Sequence, residues 1–371
     1  MDGIFQNCTG MKKIKMPISI NTVYVGSYSI YPIFSGVINL KQIEITKGTG
    51  IGYDSNSGNY NPWYYSRENN PTIVLEDGIK HIGNNMFYSC TGIKNITLPN
   101  TVTSIGDSAF YDCGDIESEI NLDNLEIIGV SAFYNCKKMK GNWNLSEKLT
   151  SIGEKTFYNC YSRTGKINLE NIKIIGSNAF YQCSNITGEI KLSNVTSIGI
   201  YGFYGCVGIT GNIDISNLEN VTAYCFRGCR GLTGIIDFNG IKEINSGAFY
   251  ECVGITGITN LNEKVIIDQD AFNGCTGIVG SLNIEKVKSI GNTAFNGCKG
   301  ITGKIYISKD IYIGASAFSE CKGIEEVEIS DERKSTLSGR NISKLYRYEK
   351  IKNANFSWYC ICWILFKFSS I

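Results

Sequence analysis

Cysteine and histidine are the side chains here best suited to nucleophilic or metal chemistry, and their spacing decides what they do. The 371-residue chain has 15 cysteines and one histidine, His81. Eleven cysteines, from Cys90 and Cys113 through to Cys298 and Cys321, stand 23 residues apart with a single interval of 24. Zinc sites and disulfide frameworks cluster cysteine at short, uneven spacings. An even comb marks a repeat and reads as a column of buried free thiols, packing as small hydrophobes. Cys225 and Cys229, close together in one repeat, occupy its alanine and cysteine slots and read the same way. Cys360 and Cys362 lie outside the comb and are expected to be the more reactive thiols. One histidine excludes a multi-histidine metal centre and argues against a Ser/His/Asp hydrolase. The glycine-rich run Gly48-Thr49-Gly50-Ile51-Gly52 lacks the Gly-Lys-Ser/Thr ending of a phosphate loop. No catalytic activity, metal or cofactor is expected.

The elements that carry these cysteines share their period. A phenylalanine stands three residues before each, from Phe87 to Phe318, with alanine before it in seven units. Eight before each cysteine is an isoleucine or valine, usually followed by glycine, as in Ile82-Gly83 and Ile105-Gly106. After the cysteine come an aliphatic and then a pair flanking one polar residue, as in Ile186 with Ile190-Lys191-Leu192. That alternation predicts a short strand with one face buried. The glycine after the isoleucine suits a tight turn, and A-F-Y-x-C reads as one helical or 3-10 turn carrying Phe and Cys inward. A unit of about 23 residues cannot bury its apolar side chains alone, so units must stack, one strand per rung. The expected fold class is an α/β repeat solenoid.

The unit I/L-x3-I-x-I/L-x2-V/L-x2-I-G-x2-A-F-Y-x-C resembles the BspA-type leucine-rich repeat, most clearly in Ile93–Pro99, Val102, Ile105-Gly106, Ala109-Phe110 and Cys113. The resemblance covers residues 72–329 and, more loosely, 3–45. An extra residue, often as Thr-Gly, lengthens the strand entry at Thr187-Gly188, Thr210-Gly211 and Thr302-Gly303. The likeness implies a right-handed leucine-rich-repeat superhelix with one short parallel strand per rung and short helical or 3-10 turns opposite. It also implies a cell-surface or extracellular place and adhesion to host extracellular or other surface proteins.

Four segments follow: truncated repeats at 1–45, an inserted loop at 46–71, regular repeats at 72–329 and an irregular tail at 330–371. Starting within a repeat suggests a truncated frame or a fragment. Residues 17–40 lack charge, but their longest apolar run is Val23-Tyr24-Val25, too short for a signal core. The apolar stretch 356–368 is shorter than a membrane span. No signal peptide or membrane insertion is therefore read here. With 35 basic and 34 acidic residues, the chain offers no global field for nucleic acid. Sequons at Asn95, Asn185, Asn194 and Asn220 matter only in a eukaryotic secretory route.

Two surfaces suit a protein partner. The loop concentrates Tyr53, Tyr60, Trp63, Tyr64 and Tyr65 with Arg67, the residue types that anchor interfaces. The outward residues of the strand ladder, among them Lys191, Asp214, Asp237 and Tyr306, form the alternative. The reading is a non-catalytic protein-binding solenoid, with a structural spacer or stalk as its rival.

Overall fold

Each rung buries the side chains its period assigns inward. Phe157, Cys160, Ile152 and Leu169 are each fully buried, as are Phe180, Cys183, Ile175 and Leu192 in the next rung. The computed structural model describes residues 8–17, 42–46, 72–261, 264–308 and 311–330. They fall in two compact units, one ending at Gly208 and the other beginning at Ile209. Each is a stack of rungs joined by parallel strands.

In the first unit Lys13–Pro17, Gln42–Thr46, Thr72–Leu75 and Ile96–Thr97 form one parallel sheet in that order. Their register sets Ile14 beside Ile43, Ile43 beside Ile73, and Ile73 beside Ile96. In the second unit Gly234–Asp237 pairs with Ile255–Thr259, and Val279–Gly280, Gly300–Ile307 and Gly323–Ile329 form a three-stranded sheet. The register shifts at Gly234 and Gly303, both at positive φ, so the extra residue at the strand entry is absorbed as a bulge.

A second strand column runs through the isoleucine that precedes the glycine, where one strand per rung was expected. Pairs such as Ser104–Ile105 and Ile127–Ile128, or Glu243–Ile244 and Ile266–Ile267, bond in parallel. The conserved spacing of that glycine has a different cause from turn geometry. A Cβ on Gly106 would lie 2.6 Å from the Asn84 nitrogen and 2.8 Å from the Gly83 carbonyl carbon. At Gly106 glycine is needed because the backbone of the preceding rung passes too close for a side chain, whereas Thr222, Asn245 and Asp268 fill the same slot in three later rungs.

The segment around A-F-Y-x-C is not helical; no helix occurs among the described residues. In all eleven rungs the residues five and one before the cysteine have positive φ, for example Asn85 at 54° with Ser89 at 54°, and Asp270 at 57° with Gly274 at 76°. Two left-handed residues four apart break any helix. The amides alternate in direction. Those of Asn85, Phe87 and Ser89 donate across to Asp107, Ala109 and Tyr111, while those of Tyr88 and Cys90 donate within the rung to Asn85 and Phe87. The turns thereby form a third inter-rung ladder, whose bonds offset the roughly 1–3 kcal/mol cost of each left-handed residue.

Candidate functional site

The cysteine column explains itself once the turns are placed. Every described column cysteine is buried and free. The Cys113 thiol donates to the Phe87 carbonyl of the preceding rung at 2.8 Å, and Cys136 to Phe110 at 3.1 Å. Cys252 to Phe226 and Cys275 to Phe249 repeat the bond at 3.0 Å in the second unit. Each such carbonyl also accepts its own rung's cysteine amide, as Phe87 does from Cys90. The thiol thus satisfies the second lone pair of a buried carbonyl, which alanine could not. Burial holds Cys113, Cys136 and Cys183 far above an ordinary thiol and pushes Cys160 and Cys275 up to about 12. A thiol so protonated is neither a nucleophile nor a metal ligand. Among the described residues no group of three or more His, Cys, Asp or Glu side chains is arranged to hold a metal ion.

Native protein should therefore leave the column unlabelled by a thiol reagent, while Cys8, the exposed cysteine among the described residues, reacts. All 15 cysteines should react after unfolding without reductant. Mass spectrometry that found disulfides between neighbouring rungs would contradict the bonding just described. Cys360 and Cys362 lie outside the described residues.

His81 sits on the second strand column, its Nδ1 2.7 Å from the Ser104 hydroxyl, with both groups exposed. An exposed pair lacks the sheltered, preorganised setting that makes serine a nucleophile.

The strand-face ladder is exposed where the spacing placed it. Lys191, Asp214 and Asp237 are exposed and Tyr306 is half-buried. Its acids and amides are committed to local structure. Asp214 Oδ1 accepts the Ser216 amide at 3.0 Å, and Asp237 Oδ1 accepts the Asn239 amide at 2.9 Å. Asn121, Asn168 and Asn283 bond the amide two residues on in the same way. These are Asx turns that end the strand, which is why short amides and carboxylates recur in the slot. Lys191 pairs with Glu170 at 2.6 Å across one rung, an exposed contact of little energetic weight. Tyr53, Tyr60, Trp63, Tyr64, Tyr65 and Arg67 lie outside the described residues, as does most of the stretch 17–40.

Two features carry no assignment in the sequence reading. On the turn side of the first unit six half-buried tyrosines stack ring on ring: Tyr88, Tyr111, Tyr134, Tyr158, Tyr181 and Tyr204, with centroids 4.3–4.7 Å apart. Partial burial pushes Tyr111 and Tyr181 up to about 12, helped by their tyrosine neighbours. The signal was a tyrosine two residues before six successive cysteines. The other is Arg163, buried in the slot that holds an aliphatic elsewhere. Its guanidinium donates to the carbonyls of Ile120 at 2.9 Å, Lys140 at 3.2 Å and Asn142, and lies 5.3 Å from the Trp143 ring centroid. It supplies donors where pairing shrinks to the isolated bridges Glu119–Lys140 and Asn142–Thr164. Desolvation lowers it to about 10.

A family model described as a BspA type leucine rich repeat region matches in overlapping stretches, residues 1–139, 58–187, 157–279 and 242–359. No curated protein matches the chain. A leucine-rich repeat protein from Bacteroides ovatus has a similar structure, with a TM-score of 0.57 at 22% identity over 92% of this chain and 91% of that one. A leucine rich cell surface protein from Faecalibacterium prausnitzii matches with a TM-score of 0.45 at 20% identity, over 88% and 90% of the two chains. At these identities the likeness bears on the fold, and the Bacteroides ovatus structure carries it. No helix among the described residues is long and apolar enough to cross a membrane.

Proposed function

The chain belongs to the BspA-type leucine-rich repeat family, and from that membership we propose that it is a non-catalytic protein-binding solenoid acting at a cell surface. Its role in this reading is adhesion to, or recognition of, host extracellular or other surface proteins. A right-handed winding of the rungs, the sense parallel β connections take, belongs to the same reading. The leucine rich cell surface description of the Faecalibacterium prausnitzii protein agrees with that location.

One observation favours the inserted stretch over the strand ladder in this reading. The acids and amides of the strand ladder spend their acceptors on their own turns, at Asp214 with Ser216 and Asp237 with Asn239. Their recurrence therefore has a local structural cause. The inserted stretch 46–71 has no such explanation, and it holds Trp63, Tyr64 and Tyr65 beside Arg67. Insertions in repeat arrays map to loops on one face, where partners bind.

The test begins with an array of extracellular-matrix and serum proteins probed with the purified chain. Replacing Trp63, Tyr64 and Tyr65 by serine should weaken binding to the partner so found by about 2 kcal/mol, near thirtyfold, with the thermal transition unchanged. Unaltered affinity there, with loss on changing Lys191, Asp214 and Asp237, would move the site to the strand face. If neither set matters and no partner binds, a spacer or stalk that displays other domains replaces this reading.

A further inference from the structure

Edge strands are where a parallel stack of rungs invites addition, because their outer N–H and C=O groups have no ladder partner. Among the described residues Lys13–Pro17 is the edge of its sheet in the first unit, and Gly323–Ile329 is the edge of its sheet in the second. The two edges carry opposite charge in the same repeat slots. Register aligns Lys15 with Glu44, Val74 and Thr97, the outward residue inside the I-x-I strand. Glu328, aligned with Tyr306, is that outward residue in the last rung. Two residues earlier stand Lys13 in the first strand and Glu326 in the last, so the sequences read K-I-K and E-V-E in register.

The chain already uses this pairing internally. Lys304 occupies the slot of Lys13, one rung before the last strand, and bonds to Glu328 with Glu326 at 3.9 Å. At the other end Lys13 pairs with Glu44 of the next rung at 2.5 Å. Both edges keep their charges accessible: the Lys13 side chain is 52% exposed and that of Glu328 43%, and Lys15 is exposed.

We propose that the chain associates head to tail with a second copy of itself, the Lys13–Pro17 strand of one copy adding in parallel to the Gly323–Ile329 strand of the other. Lys13 and Lys15 then lie beside Glu326 and Glu328 at the spacing one rung keeps from the next. Head-to-head and tail-to-tail pairing would set like charges together and is disfavoured. The contact is heterologous, so each copy engages its partners through two different edges. Protein-binding surfaces along the strand face or loop would be multiplied in such an assembly, although the proposal does not depend on them.

Light scattering of the full chain at low salt should give a mass that rises with concentration in multiples of the monomer, and falls as salt is added. The K13E/K15E variant has two acidic ends and the E326K/E328K variant two basic ends. Each alone should associate about tenfold or more weakly than the parent. Mixed in equal amounts they should recover assembly, because each end again meets its opposite. Circular dichroism and the thermal transition of each variant verify that it is folded, and recovery on mixing is a result that misfolded chains could not give. A parent chain that stays monomeric at every concentration, as it would if other residues of the same chain cover either edge, would overturn the proposal. So would assembly indifferent to both reversals, or folded variants that fail to assemble when mixed.

Discussion

Raising the pH from 8 to about 10 should strongly and reversibly destabilise both units in reducing buffer. In the first unit burial raises the thiols of Cys113, Cys136, Cys160 and Cys183 above their unfolded value of 9.0, and in the second those of Cys252, Cys275, Cys298 and Cys321. A group whose folded pKa lies above its unfolded one contributes stability that is complete below the unfolded value. That stability drains away as the pH climbs toward the folded value, because the unfolded chain alone releases its protons. At pH 10 each unfolded thiol is lowered by about 1.4 kcal/mol, and four of them by roughly 5–6 kcal/mol per unit. That is comparable to the whole net stability of a typical domain, about 5–15 kcal/mol. Tyr111 and Tyr181, raised to about 12, add the same sign at higher pH. The check is a set of urea titrations between pH 8 and 10 followed by circular dichroism. A midpoint that stays level across this range would mean that the thiols ionise in the folded state. Replacing the four thiols named for one unit by alanine should lower its stability at neutral pH and flatten its dependence above pH 8.

The second large effect is expected from Phe157→Ala. Phe157 is fully buried, stacked between Phe133 at 5.6 Å and Phe180 at 5.7 Å, with Trp143 edge-on at 5.2 Å. Truncation opens a cavity shared by three rungs and removes three ring contacts at once. Loss of about 3–5 kcal/mol is expected. Because a rung touches chiefly its neighbours, the damage should concentrate there. Cys160 and Cys183 should become reactive toward thiol reagents sooner than Cys113. An unchanged denaturation midpoint would place Phe157 outside the core.

Much of this was legible in the sequence because the repeat is regular. The 23-residue comb located Phe, Cys and the isoleucine slots, and all are buried as their period requires except Ile313 in the last rung, which is half-buried. What escaped was whatever depends on the neighbouring rung. A-F-Y-x-C carries helix-compatible residues, and only the amides donated to the next rung reveal why Asn85 and Ser89 take left-handed backbone. Gly106 has a turn-former's chemistry, yet the reason for it lies in the backbone at Gly83 and Asn84. Arg163 breaks the aliphatic pattern, and nothing local shows that three carbonyls of earlier rungs await its guanidinium. For the candidate sites, the ladder's exposure could be read from alternation. The Asx turns that occupy Asp214 and Asp237 could not, because alternation gives direction and says nothing about partners.

The paired left-handed residues of each turn bear on how such a surface can vary. Most of them are half-buried along the turns, with Ser131 buried and Glu320 exposed. Here backbone conformation restricts two lines per rung to glycine, asparagine, aspartate, serine and a few unbranched or aromatic residues. Thr293 is the branched exception, and its hydroxyl is tied to Asp270 Oδ1 at 2.6 Å. Repertoire can therefore expand only in the columns between those lines, such as the one Tyr111 and Tyr134 share, and in insertions. Lineages that copy this rung to meet new targets would inherit the same fixed borders around each variable stripe.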